Sequence, residues 1–297
     1  MTHLQLSILE RPVSIGSEGQ AITELISIAQ LADRLGYKRC WLTEHHSCLL
    51  DSSPEIILPL LAATTRQIKV GTAGILLRYY SPYKVATTFQ LLNTMFPGRI
   101  DLGVCAGQVA GTALEGLSSG DVLGFDEKNE QLRGYLQFNH ERLSAFEWAE
   151  SQPNYWIHGT GRGSMSLAIR LRASYCYSLC HHTSNADPLV LAEYRSQIED
   201  HTNPSVIPDC AVLVAGICAS TDAEALEMLA GYNNAFITPT MAGSASTCAA
   251  ELHRLARTYN VSNIVWWDLS PTHEQRAQSL TLLSKVSGLD QLDSRRE

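Results

Sequence analysis

Residues 68–107 of the chain read IKVGTAGILLRYYSPYKVATTFQLLNTMFPGRIDLGVCAG. The stretch contains two short apolar runs, IKVGTAGIL (68–76) and RIDLGVCA (99–106), separated by a longer segment from Pro82 to Met95. Apolar runs of this length predict buried strands, and the segment between them is predicted to be a helix. Strands joined by a helical crossover run parallel. The stretch therefore predicts one strand–helix–strand unit of a parallel sheet.

The same alternation continues in both directions along the chain. The sequence predicts eight strands, at residues 4–9, 39–44, 68–76, 99–106, 155–159, 174–179, 210–219 and 263–269. Helices are predicted at 21–35, 54–66, 82–95, 126–149, 163–172, 187–200, from 221 onward, at 244–258 and at 272–286. Parallel sheets need cover on both faces, and eight such units in 297 residues favour a closed (β/α)8 TIM barrel.

We expect residues 1–297 to form one domain, because no linker divides the chain. The Gly- and Ser-rich segment around 107–125 has no helical periodicity and is predicted to be a long loop. The helix predicted at 54–66 begins with Ser53, Pro54 and Glu55 and is apolar around most of its circumference. Such a helix is buried on two sides, so we expect the second side to form a homodimer interface.

Composition narrows the function classes. The formal net charge of -8 argues against nucleic-acid binding, because such a surface repels phosphate backbones. We expect no membrane segment and a cytoplasmic location, since the chain has no long apolar run and no basic leader. The eight cysteines include no CxxC pair and are expected to be reduced thiols rather than metal ligands. No glycine-rich nucleotide motif follows the first strand.

Candidate catalytic residues follow the predicted strands, where the loops of a barrel carry its chemistry. The second strand ends in Glu44, His45 and His46, and histidine is the side chain best suited to proton transfer near neutral pH. A histidine hydrogen-bonded in a packed loop is the structural alternative. Cys105 lies at the end of the fourth strand, with either a packing role or a place in the site.

Two glycine-containing segments predict ligand contacts. The third strand ends in Gly71-Thr72-Ala73-Gly74, whose small side chains either let a planar ligand approach the backbone or relieve crowding. The fifth strand is followed by Gly159-Thr160-Gly161-Arg162-Gly163-Ser164 and then a helix. Backbone N–H groups at a helix N-terminus, with hydroxyls and an arginine, suit a phosphate or another anion.

These motifs resemble one known family. WLTEHHS, SPEI, the stretch at 68–89 and LLNTMFPGRIDLGVCAG are similar to the N-terminal half of the bacterial luciferase-like flavin-dependent monooxygenases, over roughly residues 4–107. WIHGT with Ser164, AGICASTDAEA at 215–225 and RAQSLTLL at 276–283 extend the resemblance more weakly to nearly the whole chain.

The resemblance implies a TIM barrel, usually dimeric, that receives reduced FMN from a separate flavin reductase and uses oxygen to oxygenate a small or carrier-bound organic substrate. It implies that His45 is the catalytic base, with Glu44 beside it and Cys105 near the flavin. Ala73 and Gly74 match the bulged, often cis, segment beside the isoalloxazine ring. Thr160, Gly161 and Ser164 match the turn that binds the flavin phosphate, and no metal is implied.

Three positions depart from the family pattern. Ala106 stands where an arginine commonly neutralises the flavin phosphate, Gly161 where a second hydroxyl is common, and Met165 where a small residue is usual. We expect Arg162 to compensate for the arginine missing at Ala106. Two alternatives stay open: a deazaflavin-dependent oxidoreductase, and a non-catalytic flavin- or ligand-binding barrel that acts as a partner subunit.

Overall fold

The computed structural model describes residues 4–12, 17–117, 123–137, 152–200 and 208–287. Within these ranges the strands are β1 (Gln5–Glu10), β2 (Arg39–Leu42), β3 (Lys69–Thr72), β4 (Ile100–Val104), β5 (Asn154–Gly159), β6 (Ser174–Ser178), β7 (Cys210–Ala219), β8 (Met241–Ser244) and β9 (Asn263–Asp268). The helices are α1 (Glu18–Arg34), α2 (Pro54–Thr64), α3 (Pro82–Met95), α4 (Gly111–Leu117), α5 (Phe125–Leu136), α6 (Arg162–Leu171), α7 (Leu189–Asp200), α8 (Asp222–Ala230), α9 (Ala245–Tyr259) and α10 (His273–Ser287).

Eight parallel strands close into a barrel. β1 to β6 pair in chain order, β6 pairs with β7, β7 with β9, and β9 with β1, so these eight strands form a closed ring. The register places Ile8 opposite Cys40 and Val70 opposite Ile100. The predicted (β/α)8 TIM barrel is confirmed. The strand β8, which the sequence did not predict, is four residues long and pairs with β7 outside the closed ring.

Two apolar layers hold the barrel together. Large side chains such as Trp41, Trp156 and Trp267 belong to the smaller cluster, together with small residues of β7. The larger cluster lies between strands and helices, where Leu58 and Leu61 of α2 and Phe89 of α3 are almost fully buried. Alternation of side chains along each strand supplies both layers. Together the two layers fix the strand ends that carry the candidate site.

Two predicted elements differ from the structure. The segment around 107–125, predicted as a loop, contains the helix α4, which has no buried residue and so left no apolar periodicity in the sequence. The third strand ends at Thr72, before a cis peptide bond between Ala73 and Gly74. The helix predicted at 126–149 is present as α5, and the residues from 138 to 149 lie outside the described residues.

Candidate active site

The carboxyl ends of neighbouring strands bring most of the predicted residues together. Glu44 and His45 follow β2, Ala73 and Gly74 follow β3, and Cys105 follows β4. The turn that contains Thr160 follows β5, the next strand around the barrel. The chain therefore places the candidate base, the small-residue segment and the candidate anion-binding turn on four adjacent strands. Parallel strands make this possible, since all their carboxyl ends meet at one rim.

Glu44 anchors the rim rather than facing solvent. Its buried carboxylate accepts hydrogen bonds from the Tyr80 hydroxyl at 2.7 Å and from the backbone N–H of Leu76 at 3.0 Å, and Nε2 of His46 lies 2.7 Å from Oε1. Burial raises the pKa of Glu44, against the opposing effect of these hydrogen bonds. The carboxyl group thus ties the loop after β2 to the segment between β3 and α3.

His45 is the exposed histidine of the pair. Restricted hydration within the mouth, followed by the positive charge of Arg11, lowers its pKa to about 4, although the nearby carboxylate of Asp51 acts in the opposite direction. The imidazole is therefore neutral at pH 7 and has a nitrogen free to accept a proton. His46 instead bonds with Glu44, as the packed-loop alternative described.

Close strand packing accounts for the small residues near β3. A Cβ at Gly74 would lie 2.8 Å from the backbone carbon of Val104 and 2.9 Å from that of Gly103. A Cβ at Gly71 would collide with the backbone of Asp101. Relief of crowding is thus a sufficient reason for both glycines. The same tight packing leaves Ala73, partly exposed, as the only side chain on the two-residue segment that forms the cis bond.

The Cys105 thiol lies against this segment. Its Sγ donates a hydrogen bond to the carbonyl oxygen of Gly74 at 3.3 Å. Burial raises the pKa of the thiol to about 11, so it is protonated at neutral pH. A protonated thiol is a poor nucleophile, which favours a supporting role for Cys105 over covalent chemistry.

The turn after β5 leads directly into α6. Ser164 Oγ bonds with the carbonyl oxygen of Gly161 at 2.9 Å, and the Tyr175 hydroxyl donates to the same oxygen at 3.0 Å. Gly159 has no room for a side chain, because a Cβ would overlap Ser164. Thr160 accepts a hydrogen bond from Thr183 at 3.2 Å. The N–H groups at the N-terminus of α6 thus lie beside a turn whose shape is fixed by hydrogen bonds from the Ser164 and Tyr175 hydroxyls.

Arg162 is already paired in this turn. Its Nε and Nη2 donate to the carboxylate of Glu193 at 3.1 and 3.0 Å, and Nη1 donates to Asp187 at 2.9 Å. The side chain is nearly half exposed. A phosphate at the N-terminus of α6 would compete with two carboxylates for this guanidinium.

Several residues that shape the site were given little or no weight from the sequence. Tyr80 binds Glu44, and Lys128 of α5 fixes the same segment by donating to the carbonyl oxygens of Arg78 and Tyr80 at 2.8 and 3.2 Å. His181, after β6, lies near Trp267 with ring centroids 6.3 Å apart. Each contact joins residues far apart in sequence, so no local motif could reveal it.

A cavity of about 410 Å³ opens at the carboxyl ends of β1 and β9. Its lining mixes acids, bases and neutral polar groups, and Arg11 belongs both to this lining and to the surroundings of His45. The cavity is lined by Glu10, Arg11, Gln20, Glu24, Tyr232, Asn234, Trp267, Asp268, Leu269, Ser270, Pro271, Thr272, His273, Glu274 and Arg276.

Three features of the chain bear on other types of site. Among the residues that the structure describes, no group of three or more His, Cys, Asp or Glu side chains is placed to hold a metal ion. No helix in the described ranges is both long enough and apolar enough to cross a membrane. All eight cysteines are free thiols, and five of them are buried.

The family model described as luciferase-like monooxygenase matches residues 3–281. The chain therefore belongs to the luciferase-like monooxygenase family and is an oxidoreductase. An N-acetyl-S-alkylcysteine monooxygenase of Bacillus subtilis is 29% identical over 302 residues, covering 95% of this chain and 89% of its own.

Solved structures share the architecture over nearly the whole chain. The crystal structure of apo-MsnO8 superposes with a TM-score of 0.82 at 27% identity, covering 97% of this chain and 98% of its own. The oxygenating constituent of 3,6-diketocamphane monooxygenase from a Pseudomonas putida plasmid, solved with FMN, has a TM-score of 0.69 at 19% identity and covers 96% and 98%. The latter similarity supports the fold alone.

Proposed function

We propose that the protein is a two-component monooxygenase that takes reduced FMN from a separate flavin reductase and uses oxygen to oxygenate a small or carrier-bound organic substrate. The observation that carries this proposal is the neutral, exposed imidazole of His45 at the same rim as the Ala73–Gly74 segment and Cys105. A proton acceptor beside a small-residue backbone surface suits chemistry on a planar ring.

The rim has features that fit FMN. The N–H groups that open α6, with Thr160, Gly161 and Ser164, would hold the phosphate. Ala73, Gly74 and Cys105 would contact one face of the ring, since close strand packing leaves no room for a side chain at Gly74. Bound reduced FMN supplies the activation of oxygen. Arg162 is the cation on the phosphate turn, and its contribution is reduced by its bonds to Glu193 and Asp187.

The chain's own groups then divide the remaining work. His45 accepts a proton at an imidazole nitrogen, because its lowered pKa keeps that nitrogen unprotonated. Glu44, with Tyr80 and Leu76, fixes the loop that presents His45. The Cys105 thiol donates to Gly74 and holds the Ala73–Gly74 segment that would contact the ring. The Tyr79 hydroxyl accepts from the N–H of Val109 at 3.3 Å, which joins the segment after β4 to the segment between β3 and α3.

The location of the cavity suggests where the substrate binds. The proposed phosphate turn follows β5, which lies across the barrel from β1, and His45 follows β2 between them. If the residues that follow β3, β4 and β5 hold the flavin, the sector at β1 and β9 is left for the substrate. The lining there combines charged and polar groups with Trp267, Leu269 and Pro271, which suits a substrate that carries a polar group beside an apolar one.

We also propose a homodimer formed through α2, in a cytoplasmic setting. Ile56 and Leu60 of α2 are 69% and 45% exposed, and Leu91 and Met95 of the adjacent α3 are 61% and 49% exposed. Two neighbouring helices that expose large apolar side chains favour burial against a second copy. The eight free thiols are consistent with a reducing compartment.

The test is reoxidation of reduced FMN in a stopped-flow instrument, with and without the protein. We expect the protein to slow reoxidation relative to free reduced FMN. A panel of thioethers, starting with an N-acetyl-S-alkylcysteine, is then screened for oxygenated product. Hydride transfer with reduced F420 and no effect on FMN would instead support the deazaflavin alternative. No response to either cofactor would support the non-catalytic one.

A further inference from the structure

The loop that carries His45 is closed by the side chain of Asp51. Oδ1 of this fully buried carboxylate accepts from the N–H groups of Ser47 and Cys48 at 2.8 and 2.9 Å. Oδ2 accepts from the Ser47 hydroxyl at 2.5 Å. One carboxylate thus accepts three hydrogen bonds from the loop between β2 and α2.

The backbone of Asp51 holds the histidines directly. Its carbonyl oxygen accepts from the N–H of His45 at 2.9 Å and from the N–H of His46 at 3.3 Å. His46 has a positive φ of 55°, which turns the chain back towards Asp51. The position of the His45 backbone therefore depends on where Asp51 is held.

Arg11 ties this closed loop to the barrel. It follows β1 immediately, and its Nε and Nη2 each donate to Oδ2 of Asp51 at 3.2 Å. Nη2 also donates to the Ser47 hydroxyl at 2.5 Å. A forked guanidinium can hold the carboxylate and the hydroxyl at once, which a lysine ammonium cannot do with the same geometry.

The charged and titratable groups that act on His45 come from three parts of the rim. They are Arg11 after β1, Asp51 and His46 on its own loop, and His181 after β6. Arg11 disfavours the protonated imidazole, as do His46 and His181, and Asp51 favours it. The arginine that anchors the loop thus also acts electrostatically on the side chain that the loop carries.

We propose that Arg11 and Asp51 are positioning residues for His45: Asp51 fixes the backbone of the loop, and Arg11, anchored on Asp51, holds that loop against β1 and places a positive charge near the imidazole. This inference rests on the proposed function, because it assigns the pair a purpose in proton transfer by His45. It goes further in naming two residues outside the family motif that control the base.

The experiment is an NMR titration of the histidine side chains, with His45 assigned by loss of its signal in His45→Gln. We expect Arg11→Gln to raise the His45 pKa by about one unit, the lower end of what one neighbouring charge produces. Arg11→Lys, which retains the charge, should leave the titration near wild type but broaden the His45 signals, because the forked contact is lost. The matched control is Arg170→Gln, which replaces a surface arginine paired with Asp126 and Glu130. It should change neither the His45 pKa nor the width of the His45 signals.

An Arg11→Gln protein that is folded by circular dichroism and titrates at His45 like wild type would overturn the electrostatic part of the proposal. Wild-type signals for His45 in Asp51→Asn would overturn the positioning part. Because the titration needs neither flavin nor substrate, its result is separate from the proposed function. Failure of the proposed function would show instead in the His45→Gln variant, if it reoxidised FMN and turned over substrate like wild type.

Discussion

The strand β2 and the residues just after it connect two ends of the barrel that use charge in opposite ways. At the amino end, Arg39 donates to Asp101 at 2.9 Å, and the same carboxylate accepts from Trp41 Nε1 at 2.8 Å and from Asn154 at 2.8 Å. At the carboxyl end, only a few residues later, His45 is exposed and neutral. Charges that are buried and paired stabilise a structure, whereas a neutral group exposed at a rim is available for chemistry.

The amino end is therefore where substitutions should cost the most stability. Asp101→Ala would leave Arg39 buried with only Asp209 as a carboxylate partner, beneath the Trp156 ring at 4.9 Å. We expect the free energy of unfolding to fall by about 3–5 kcal/mol, the usual result of breaking a buried pair from one side. Urea unfolding measures this. Replacing an exposed pair by Arg254→Ala is the control, with a change below about 1 kcal/mol; equal losses in the two variants would contradict the comparison.

The carboxyl end should show the converse behaviour. We expect His45→Gln to lower kcat by about 10²–10⁴-fold, as loss of a general base does, while the urea midpoint stays near that of wild type. Steady-state turnover with supplied reduced FMN and urea unfolding measure the two effects. His46→Gln should behave differently and lose stability too, since it bonds with Glu44. Unchanged turnover in His45→Gln would remove this residue from the mechanism.

A small-residue position at the rim gives the next largest effect. In Gly74→Ala the new methyl group would meet the Val104 and Gly103 backbone below 3 Å, so the segment must move. We expect FMN affinity to fall about tenfold, by analogy with loss of about 1.4 kcal/mol. Fluorescence titration measures it. Gly19→Ala, in an open position of α1, is the control and should leave affinity unchanged while stabilising the helix.

Acid should destabilise the fold through His158, whose ring packs edge-on against Trp41 with centroids 4.9 Å apart. Burial lowers its pKa from 6.5 to about 3. The stability that this neutral histidine contributes is thus complete above pH 6.5 and is lost as the pH falls towards 3. The slope is at most about 1.4 kcal/mol per pH unit from this one group. Urea unfolding between pH 6.5 and 4 should show a shallower slope in His158→Gln; identical slopes would refute this assignment.

The smallest effect is expected at Arg162. Because Glu193 and Asp187 already hold the guanidinium, we expect Arg162→Ala to weaken FMN binding by less than about tenfold, the lower end for a charge-assisted contact. Glu193→Gln should strengthen binding slightly by releasing the guanidinium. Fluorescence titrations of both variants measure this. If neither substitution changes the affinity, Arg162 does not compensate for the arginine missing at Ala106.

Short-range sequence patterns predicted the strands and helices that depend on local interactions. The eight barrel strands and most of the helices followed from apolar runs and their spacing, since a strand buried on both sides must be apolar along its length. Helix α4 and strand β8 were missed because the first buries nothing and the second, Met-Ala-Gly-Ser, is only partly buried and has no apolar run. His45, Cys105 and the turn at 159–164 were predicted as site residues because they lie at or just after the ends of predicted strands, where barrel chemistry lies.

The sequence by itself therefore determined the barrel and the rim positions of the candidate base, thiol and anion-binding turn. Only the tertiary structure decided how those groups are held and charged. Arg11 reaches Asp51 across 40 residues, and Tyr80 reaches Glu44 across 36. Folding brings such residues together through the closure of the barrel, and no short-range pattern records the pairing. The pKa of His45 depends on burial and on Arg11, because restricted hydration and nearby charge, rather than residue type alone, set a pKa.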